Sequence, residues 1–320
     1  MSETKVIIYM PALNEGKTIK AVLKSVPKQL DMVTEIELLV INDGSSDNTE
    51  SEALEAGASV ISHNYNKGVG SAFHTAVDYT LKQGVEILVS VDADGQFDAC
   101  QIQEMIAPII TNEVDFTIGN RFSNGRPNGM PKLKYWGNKG ISKIVSFVSR
   151  TKIKDASCGF RAYSKDCLLN LNLDGSFTYT HETILDLANK GYRLAQIPVN
   201  VTYFDNRVSR VANSLTKYAF KTSSIIFKCL KDYKPLYFFG SIAMAILFVG
   251  LIFGGFVLIH WIQTGNITPY KSLGIIGLAL VGMSLLLAVY ALMADMLGRI
   301  RKNQEKILYY QKKQYFEKDN

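Results

Sequence analysis

The sequence predicts an α/β fold with a mainly parallel sheet, followed by an amphipathic interfacial helix and two transmembrane helices. Three observations predict it. Short runs of branched apolar residues alternate with helical stretches through residues 1–212, and each run ends in a polar loop. Residues 213–235 space apolar side chains with a period of about 3.6. Leu236–Ile262 and Leu273–Met293 carry no charged side chain unless His260 is protonated, and each is longer than the ~20 residues that cross a hydrocarbon core.

Composition sets the bounds. The 320 residues suffice for one large domain or two smaller ones. Hydrophobic residues make up 47%, concentrated in 236–297, whereas 1–235 is mixed and periodic. Cys100, Cys158, Cys167 and Cys229 show neither a CxxC nor a His-paired spacing. That predicts buried or incidental thiols in a reducing compartment, not a disulfide frame or zinc site. The net charge of +6 lies beside the apolar segments, which favours anionic membrane lipids over nucleic acid as a partner. A strand pattern starts at Lys5, so no signal peptide is expected before it. Internal repeats and low-complexity tracts are not seen.

Val6–Met10 is the first expected strand, ending at Pro11-Ala12-Leu13-Asn14-Glu15-Gly16, with a helix over Lys17–Pro27. Leu38–Ile41 is the second, ending at Asn42-Asp43-Gly44-Ser45-Ser46-Asp47, where Asp47 is expected to cap the next helix with Ser45 and Ser46 as rivals. Ala58–Ile61 is the third, and Gly68-Val69-Gly70 opens a helix that runs to Gln83. Glu86–Val91 is the fourth, and Phe116–Ile118 the fifth, ending at Gly119-Asn120-Arg121. A helix over Tyr135–Val148 follows Arg126, Lys132 and Lys134, and another after His181-Glu182 ends at Gly191. Position 185 is Leu, so His181-Glu182 is not a HExxH zinc motif. His181 is expected in a capping or core role, and Glu182 either faces the ligand or braces a loop.

The chemistry concentrates at Asp92-Ala93-Asp94-Gly95-Gln96, directly after the fourth strand. Two carboxylates spaced i, i+2 repel unless a cation lies between them. Oxygen donors suit Mg²⁺ or Mn²⁺, hard cations that also bridge phosphates. Right-handed crossovers bring Glu15, Asp43, Asn66, Asp92, Asp94 and Arg121 to one edge of the sheet, where ligands of open α/β sheets bind. A dinucleotide-binding fingerprint does not fit: after Gly68-x-Gly70, position 73 is Phe, and the first strand lacks a glycine cluster.

Pro11-Ala12-Leu13-Asn14-Glu15, Asn42–Asp47, Asn66-x-Gly68-x-Gly70 and Asp92–Gln96 together resemble the family 2 glycosyltransferases of GT-A fold. Asp155-Ala156-Ser157-Cys158-Gly159-Phe160-Arg161 resembles the later motif of their dolichol-phosphate mannose synthase branch, apart from Cys158. The resemblance spans roughly 5–212. It departs at Arg207–Ser214, where related enzymes show Arg-x-x-Gly-x-Ser and this chain lacks the glycine. It implies an inverting, metal-dependent transfer of sugar from a nucleotide-sugar to a polyprenyl phosphate. Bacterial-type two-span members suggest a UDP-hexose or UDP-N-acetylhexosamine, with GDP-mannose the alternative. The implied nucleotide-binding residues are Pro11, Ala12, Asn14, Glu15, Asp43, Lys67, Asp92 and Ala93, with Asp92 and Asp94 on the metal. Asp92, Asp94, Gln96 and Arg121 are the catalytic candidates. Arg121, Lys132, Lys134, Arg207 and Arg210 are candidates for the acceptor phosphate, since Arg suits bidentate phosphate contact. Asp155, Ser157, Arg161 and Glu182 complete the set. A processive polysaccharide synthase would carry Gln-x-x-Arg-Trp and more spans, and a decayed scaffold would have lost Glu15, Asp43, Asp92 or Asp94.

Residues 213–235 place Lys217, Lys221, Lys228 and Lys231 opposite an apolar face, as in an interfacial helix. The hairpin 236–298 follows, then a basic tail 299–320. Lysines before the first span and Arg299, Arg301 and Lys302 after the second put both termini and the catalytic domain in the cytoplasm by the positive-inside rule. Gly250-x-x-x-Gly254 permits close helix packing, within the chain or in a homo-oligomer.

Overall fold

The structure is a computed structural model and describes residues 4–172, 179–203 and 233–318, with positions 227 and 231. It divides into two units, Met1–Arg210 with Lys306–Asn320, and Val211–Glu305. Among the described residues the first holds seven strands: β1 Lys5–Ala12, β2 Glu35–Asn42, β3 Ser59–Ser62, β4 Ile87–Ser90, β5 Phe116–Asn120, β6 Arg161–Ser164 and β7 Leu194–Pro198. Their order is β3-β2-β1-β4-β6-β5-β7. β1 pairs in parallel with β2 and β4, β2 with β3, and β5 with β7. Only β6 runs antiparallel, inserted between β4 and β5. Its N-terminal end therefore opens on the edge where the other strands finish.

β1 shows why the sheet is covered on both faces. Val6, Ile8 and Met10 enter one core with Ile19, Leu23, Met105 and Ile106. Ile7 and Tyr9 enter the other with Phe73, Ala76, Leu168 and Leu187. This alternation is the period of two of an extended strand, and it sets three layers. α1 Ile19–Ser25, α2 Thr49–Glu55 and α4 Ile102–Ile110 cover the first face; α3 Val69–Lys82, α6 Lys165–Asn170 and α7 Thr180–Asn189 cover the second. α5 Lys132–Ser149 lies between β5 and β6 in sequence.

Local chemistry explains where the expected boundaries move. α1 stops at Ser25 because Val26, before Pro27, is extended (φ −66°, ψ 129°), as a residue preceding proline prefers. Asn48, not Asp47, is the N-cap of α2 and makes no side-chain cap bond. Asp47 Oδ1 instead accepts the Thr49 N–H at 3.1 Å, while Ser45 Oγ accepts from Asn14 N and Ser46 N donates to Asn14 Oδ1.

The last residues of the tail are helical and belong to the first unit. Tyr309 Oη donates to Asp166 Oδ1 at 2.5 Å, and Lys312 Nζ donates to Leu171 O at 2.9 Å and Asn172 Oδ1 at 3.1 Å. Tyr309 and Phe316 pack against the α3–α6 core. The second unit holds α8 Pro235–Thr264 and most of α9 Lys271–Lys318, both long and apolar enough to cross a membrane. A Cβ on Gly250 would meet Gly277 O at 3.1 Å, and one on Gly277 would meet Gly254 N at 3.0 Å. The Gly250-x-x-x-Gly254 stripe thus serves close packing of α8 on α9 within the chain.

Candidate active site

The ladder of β4 extends one residue past the strand through Val91 N to Tyr9 O at 3.0 Å, and Asp92 follows. Gly95 turns the chain at φ +72°, and Asp94 Oδ1 accepts Gln96 N at 3.0 Å. The loop is gripped from both sides. The Thr18 hydroxyl lies 3.0 Å from Ala93 O and 3.1 Å from Glu15 Oε2, and Gln96 O accepts Thr202 N at 2.9 Å. Phe97 forms an antiparallel bridge with Val201. Burial, and then the Asp94 charge, push the Asp92 carboxyl up to about 6, while Arg121 and Arg161 pull it down. A cation between the carboxylates would relieve both causes of the rise. Among the described residues no group of three or more His, Cys, Asp or Glu could hold a metal. A cation fits this oxygen donor set only if a substrate and water supply its remaining ligands.

The loops after β1 and β2 are laced together. Asn14 sits at φ +53°, a left-handed conformation that asparagine tolerates. Its N–H donates to Ser45 Oγ, Glu15 N donates to Thr49 Oγ1, and Gly16 N donates to Asp47 Oδ2, all at 2.9–3.1 Å. Glu15 and Pro11 are partly exposed, and Ala12 is buried and accepts Asp43 N at 2.8 Å. Asp43 is buried, and both of its oxygens are bonded within the chain. Oδ1 lies 2.7 Å from His63 Nδ1 and accepts Lys67 N at 2.9 Å; Oδ2 accepts Gly68 N at 2.8 Å. It is the anion at the N-terminus of α3, where the helix favours negative charge. The Lys67 side chain is exposed, 5.7 Å from the centre of the Tyr65 ring.

The basic half is more deeply set. Arg121, at the end of β5, makes a bidentate pair with buried Asp155: Nε to Oδ2 at 2.7 Å and the terminal nitrogen to Oδ1 at 2.8 Å. Burial opposes the guanidinium charge, and Asp155 more than offsets that, raising the Arg121 pKa. Arg161 is fully buried and donates to Cys158 O, Thr180 O, Thr183 Oγ1 and Ala156 O at 2.6–2.9 Å. It braces the segment that carries Asp155, and its charge helps to hold Asp92 ionised. Ser157 Oγ lies 3.3 Å from His181 Nε2. Buried His181 has its pKa lowered to about 4 by burial and then by Arg161, so it occupies the core position expected of it. Glu182 is partly exposed in the first turn of α7. Lys134 lies near Arg121, Asp94 and Asp92, which all act on its pKa; burial, and then Arg121, lower it. Its ammonium sits 5.3 Å from the Tyr203 ring centre. Lys132 is exposed. Arg207 and Arg210, with the amphipathic stretch up to residue 226, lie outside the described residues.

Two residues here were not among the site residues expected from the sequence, although Gly159 lies within a quoted motif. Gly159 has no positive φ that would require glycine, yet a Cβ there would lie 2.8 Å and 2.9 Å from the Asp92 oxygens. The glycine makes room for the carboxylate. Tyr203 has a buried hydroxyl close to Arg121 and Lys134. An x-Gly-x-Arg spacing beside a strand could have flagged the first; nothing local flags the second.

The sequence model of glycosyl transferase family 2 matches residues 7–171. Glycosyltransferase AglJ of Haloferax volcanii is 27% identical over 308 residues, 94% of this chain and 96% of the relative. The UDP-N-acetylglucosamine–dolichyl-phosphate N-acetylglucosaminyltransferase of Methanococcus voltae is 29% identical over 67% of this chain and 92% of its own length. The polyprenol monophosphomannose synthase of Mycolicibacterium smegmatis is 25% identical over 66% and 82%. Among solved structures, glucosyl-3-phosphoglycerate synthase from Mycobacterium tuberculosis in complex with UDP has a TM-score of 0.56 at 21% identity, covering 72% of this chain and 80% of that one. A family match over more than half of the chain, on a fold that this structure shares, makes the protein a member of glycosyl transferase family 2, with GT-A architecture.

Proposed function

We propose that this glycosyltransferase moves a sugar, with inversion, from a nucleotide-sugar to a polyprenyl phosphate at the cytoplasmic membrane face. The product, a polyprenyl-phosphate sugar, would feed glycan or glycoprotein assembly. The observation that carries the reading is the meeting of Asp92 and Asp94 with Arg121 and Lys134 at one edge of the sheet, in a chain with two helices able to cross a membrane. Two of the relatives named above act on dolichyl or polyprenol carriers by their names, and a UDP complex is among the solved neighbours. A UDP-hexose or UDP-N-acetylhexosamine is therefore the preferred donor, with GDP-mannose the alternative.

Asp92 and Asp94 would hold Mg²⁺ or Mn²⁺, and the solved neighbours include complexes with Mn²⁺. When bound, the ion offsets the charge that develops on the leaving diphosphate. Glu15 and the backbone of Pro11 and Ala12 line the nucleotide, and Asp43 holds the loop from Lys67 to Gly68 against it. The acceptor phosphate has a second pKa near ~6 by analogy with phosphorylated side chains. It is already a nucleophile at neutral pH and needs no strong general base. What the enzyme must do is hold two anions close together, the task of Arg121 and Lys134 and, beyond the described residues, of Arg207 or Arg210.

The test is transfer by the purified full-length protein, given radiolabelled UDP-N-acetylglucosamine, UDP-glucose or GDP-mannose, with and without polyprenyl phosphate, and with Mn²⁺ or a chelator. Label entering the organic phase only with the lipid and the metal is expected. Label in a water-soluble polymer, or no transfer from any donor, would overturn the reading.

A further inference from the structure

His63 is a buried imidazole that the transfer chemistry leaves unused. It stands one residue past β3, and its backbone N–H extends the ladder to Asn42 O at 2.8 Å. The side chain is 6% exposed and joins two other elements. Nδ1 lies 2.7 Å from Asp43 Oδ1, just after β2, and Nε2 lies 3.0 Å from Thr75 Oγ1 on α3. Asp43 carries the connection on to the ligand edge: Oδ1 also accepts Lys67 N at 2.9 Å, and Oδ2 accepts Gly68 N at 2.8 Å. One carboxylate thus ties the imidazole to the loop that opens α3. The backbone of that loop is drawn down hard beside it. A Cβ on Gly44, at φ +74°, would lie 2.6 Å from Tyr65 C and 2.7 Å from Asn66 N.

The groups around the ring fix its tautomer. An ionised carboxylate can only accept, so the proton facing Asp43 sits on Nδ1. The Thr75 hydroxyl can give its own proton to Nε2. It can also turn that proton to Ser71 O, 3.1 Å away, and accept from an imidazolium. Either charge state keeps Nδ1–H on Asp43 with no heavy atom moved. We propose that His63 is a positioning residue for the nucleotide: it holds the Asp43 carboxylate in one orientation, which sets the Tyr65–Gly68 loop and with it the place of Lys67 beside the donor. A carboxylate, an imidazole and a hydroxyl in a row can also activate a nucleophile. Here the hydroxyl belongs to the second turn of α3 and has a carbonyl of its own helix in reach, so the row is built to orient. The step from the loop to the donor rests on the nucleotide-sugar reading; the hold on the loop does not.

His63→Leu and His63→Asn share one branched shape, and only the asparagine amide can donate where Nδ1 does. In the full-length protein in nanodiscs, hydrogen exchange of the peptide that holds Lys67 and Gly68 should quicken about ten-fold in His63→Leu and stay near wild type in His63→Asn. Binding of UDP, or of GDP, in the presence of Mn²⁺ should weaken by about the same factor in the leucine variant alone. Transfer by that variant should show a raised donor KM with kcat nearly kept. Thr75→Val removes the hydroxyl and leaves Nδ1 on Asp43. It should shift exchange and binding by about three-fold, and it tests the same row if the leucine variant does not fold. Equal exchange in His63→Leu and His63→Asn overturns the proposal. So does a collapsed kcat at unchanged KM, which would put the imidazole in the chemistry. A wild-type protein that binds neither nucleotide would sink the nucleotide-sugar reading and the step to the donor, while the exchange rates would still decide the hold on the loop.

Discussion

The acidic and basic halves of the site are built in opposite ways. Asp92 and Asp94 lie on a loop that follows a parallel strand, partly exposed and held by neighbouring backbone. Arg121 and Arg161 are sunk behind them, one neutralised by Asp155 and the other saturated by carbonyls and a hydroxyl. The carboxylates keep some exposure, whereas Arg161 is fully buried and the Arg121 side chain is 9% exposed. Asp43 crosses the divide: a carboxylate on the ligand edge whose oxygens are both taken by the chain. Residue type and strand-end position therefore do not tell which carboxylates already have partners within the chain.

The sharpest way to break that contrast is at Asp94. Asp94→Asn is expected to abolish transfer while the thermal midpoint stays near wild type, since no core packing is lost. Retention of more than a tenth of the rate, ~1.4 kcal/mol of barrier, would remove Asp94 from the chemistry. Arg121→Leu tests the other half. It leaves Asp155, 1% exposed, as an uncompensated buried charge, at a cost of about 3–5 kcal/mol in chemical denaturation. Arg121→Leu with Asp155→Leu should regain most of that stability. If Arg121 also holds a phosphate, the double variant folds but shows a raised acceptor KM; full turnover would make the arginine purely structural.

His181 adds a pH signature. Its pKa is lowered to about 4 in the fold, against ~6.5 in the unfolded chain. The unfolded state then binds the proton more tightly, so stability is complete above pH ~6.5 and falls as pH drops toward 4. The total loss is about 3 kcal/mol. Denaturation of His181→Gln across that range should lack this component, and an identical acid slope in the variant would locate it elsewhere. The smallest expected effect is at Gly159. Gly159→Ala drives a methyl against Asp92 and should cost about 1–3 kcal/mol, along with turnover. In an Asp92→Ala background the same substitution should cost almost nothing; a cost that persists there would mean that the methyl strikes something other than the carboxylate.

How much of this was legible follows from the same contrast. β1, β2 and β4 announce themselves because strands buried on both faces are continuous apolar runs. β6 does not: it has four residues, opens on a buried arginine and pairs antiparallel with strands far off in sequence. β7 is a half-exposed edge strand ending in proline, which weakens any strand pattern. The Asp pair was readable as a loop after a strand. The partners of Arg121 and Arg161 were not, because they are a carboxylate 34 residues away and three backbone carbonyls. Arginine in a phosphate-binding family motif and arginine in a brace look alike until the partners are known. Gly159 was visible as part of a motif, but its reason lies in a carboxylate brought beside it by the pairing of β4 with β6.

The clasp that Tyr309 and Lys312 make on Asp166, Leu171 and Asn172 bears on how the protein is made. The catalytic unit is discontinuous in the chain: its final segment begins at Lys306, within α9 and after its apolar stretch. A ribosome that has translated the whole sheet still has more than a hundred codons to read before these partners of α6 exist. Domains of ordinary continuity fold as they emerge. Here the closing contacts form only once α8 and the apolar stretch of α9 have been synthesised, so completion of the catalytic unit is tied in time to the appearance of both.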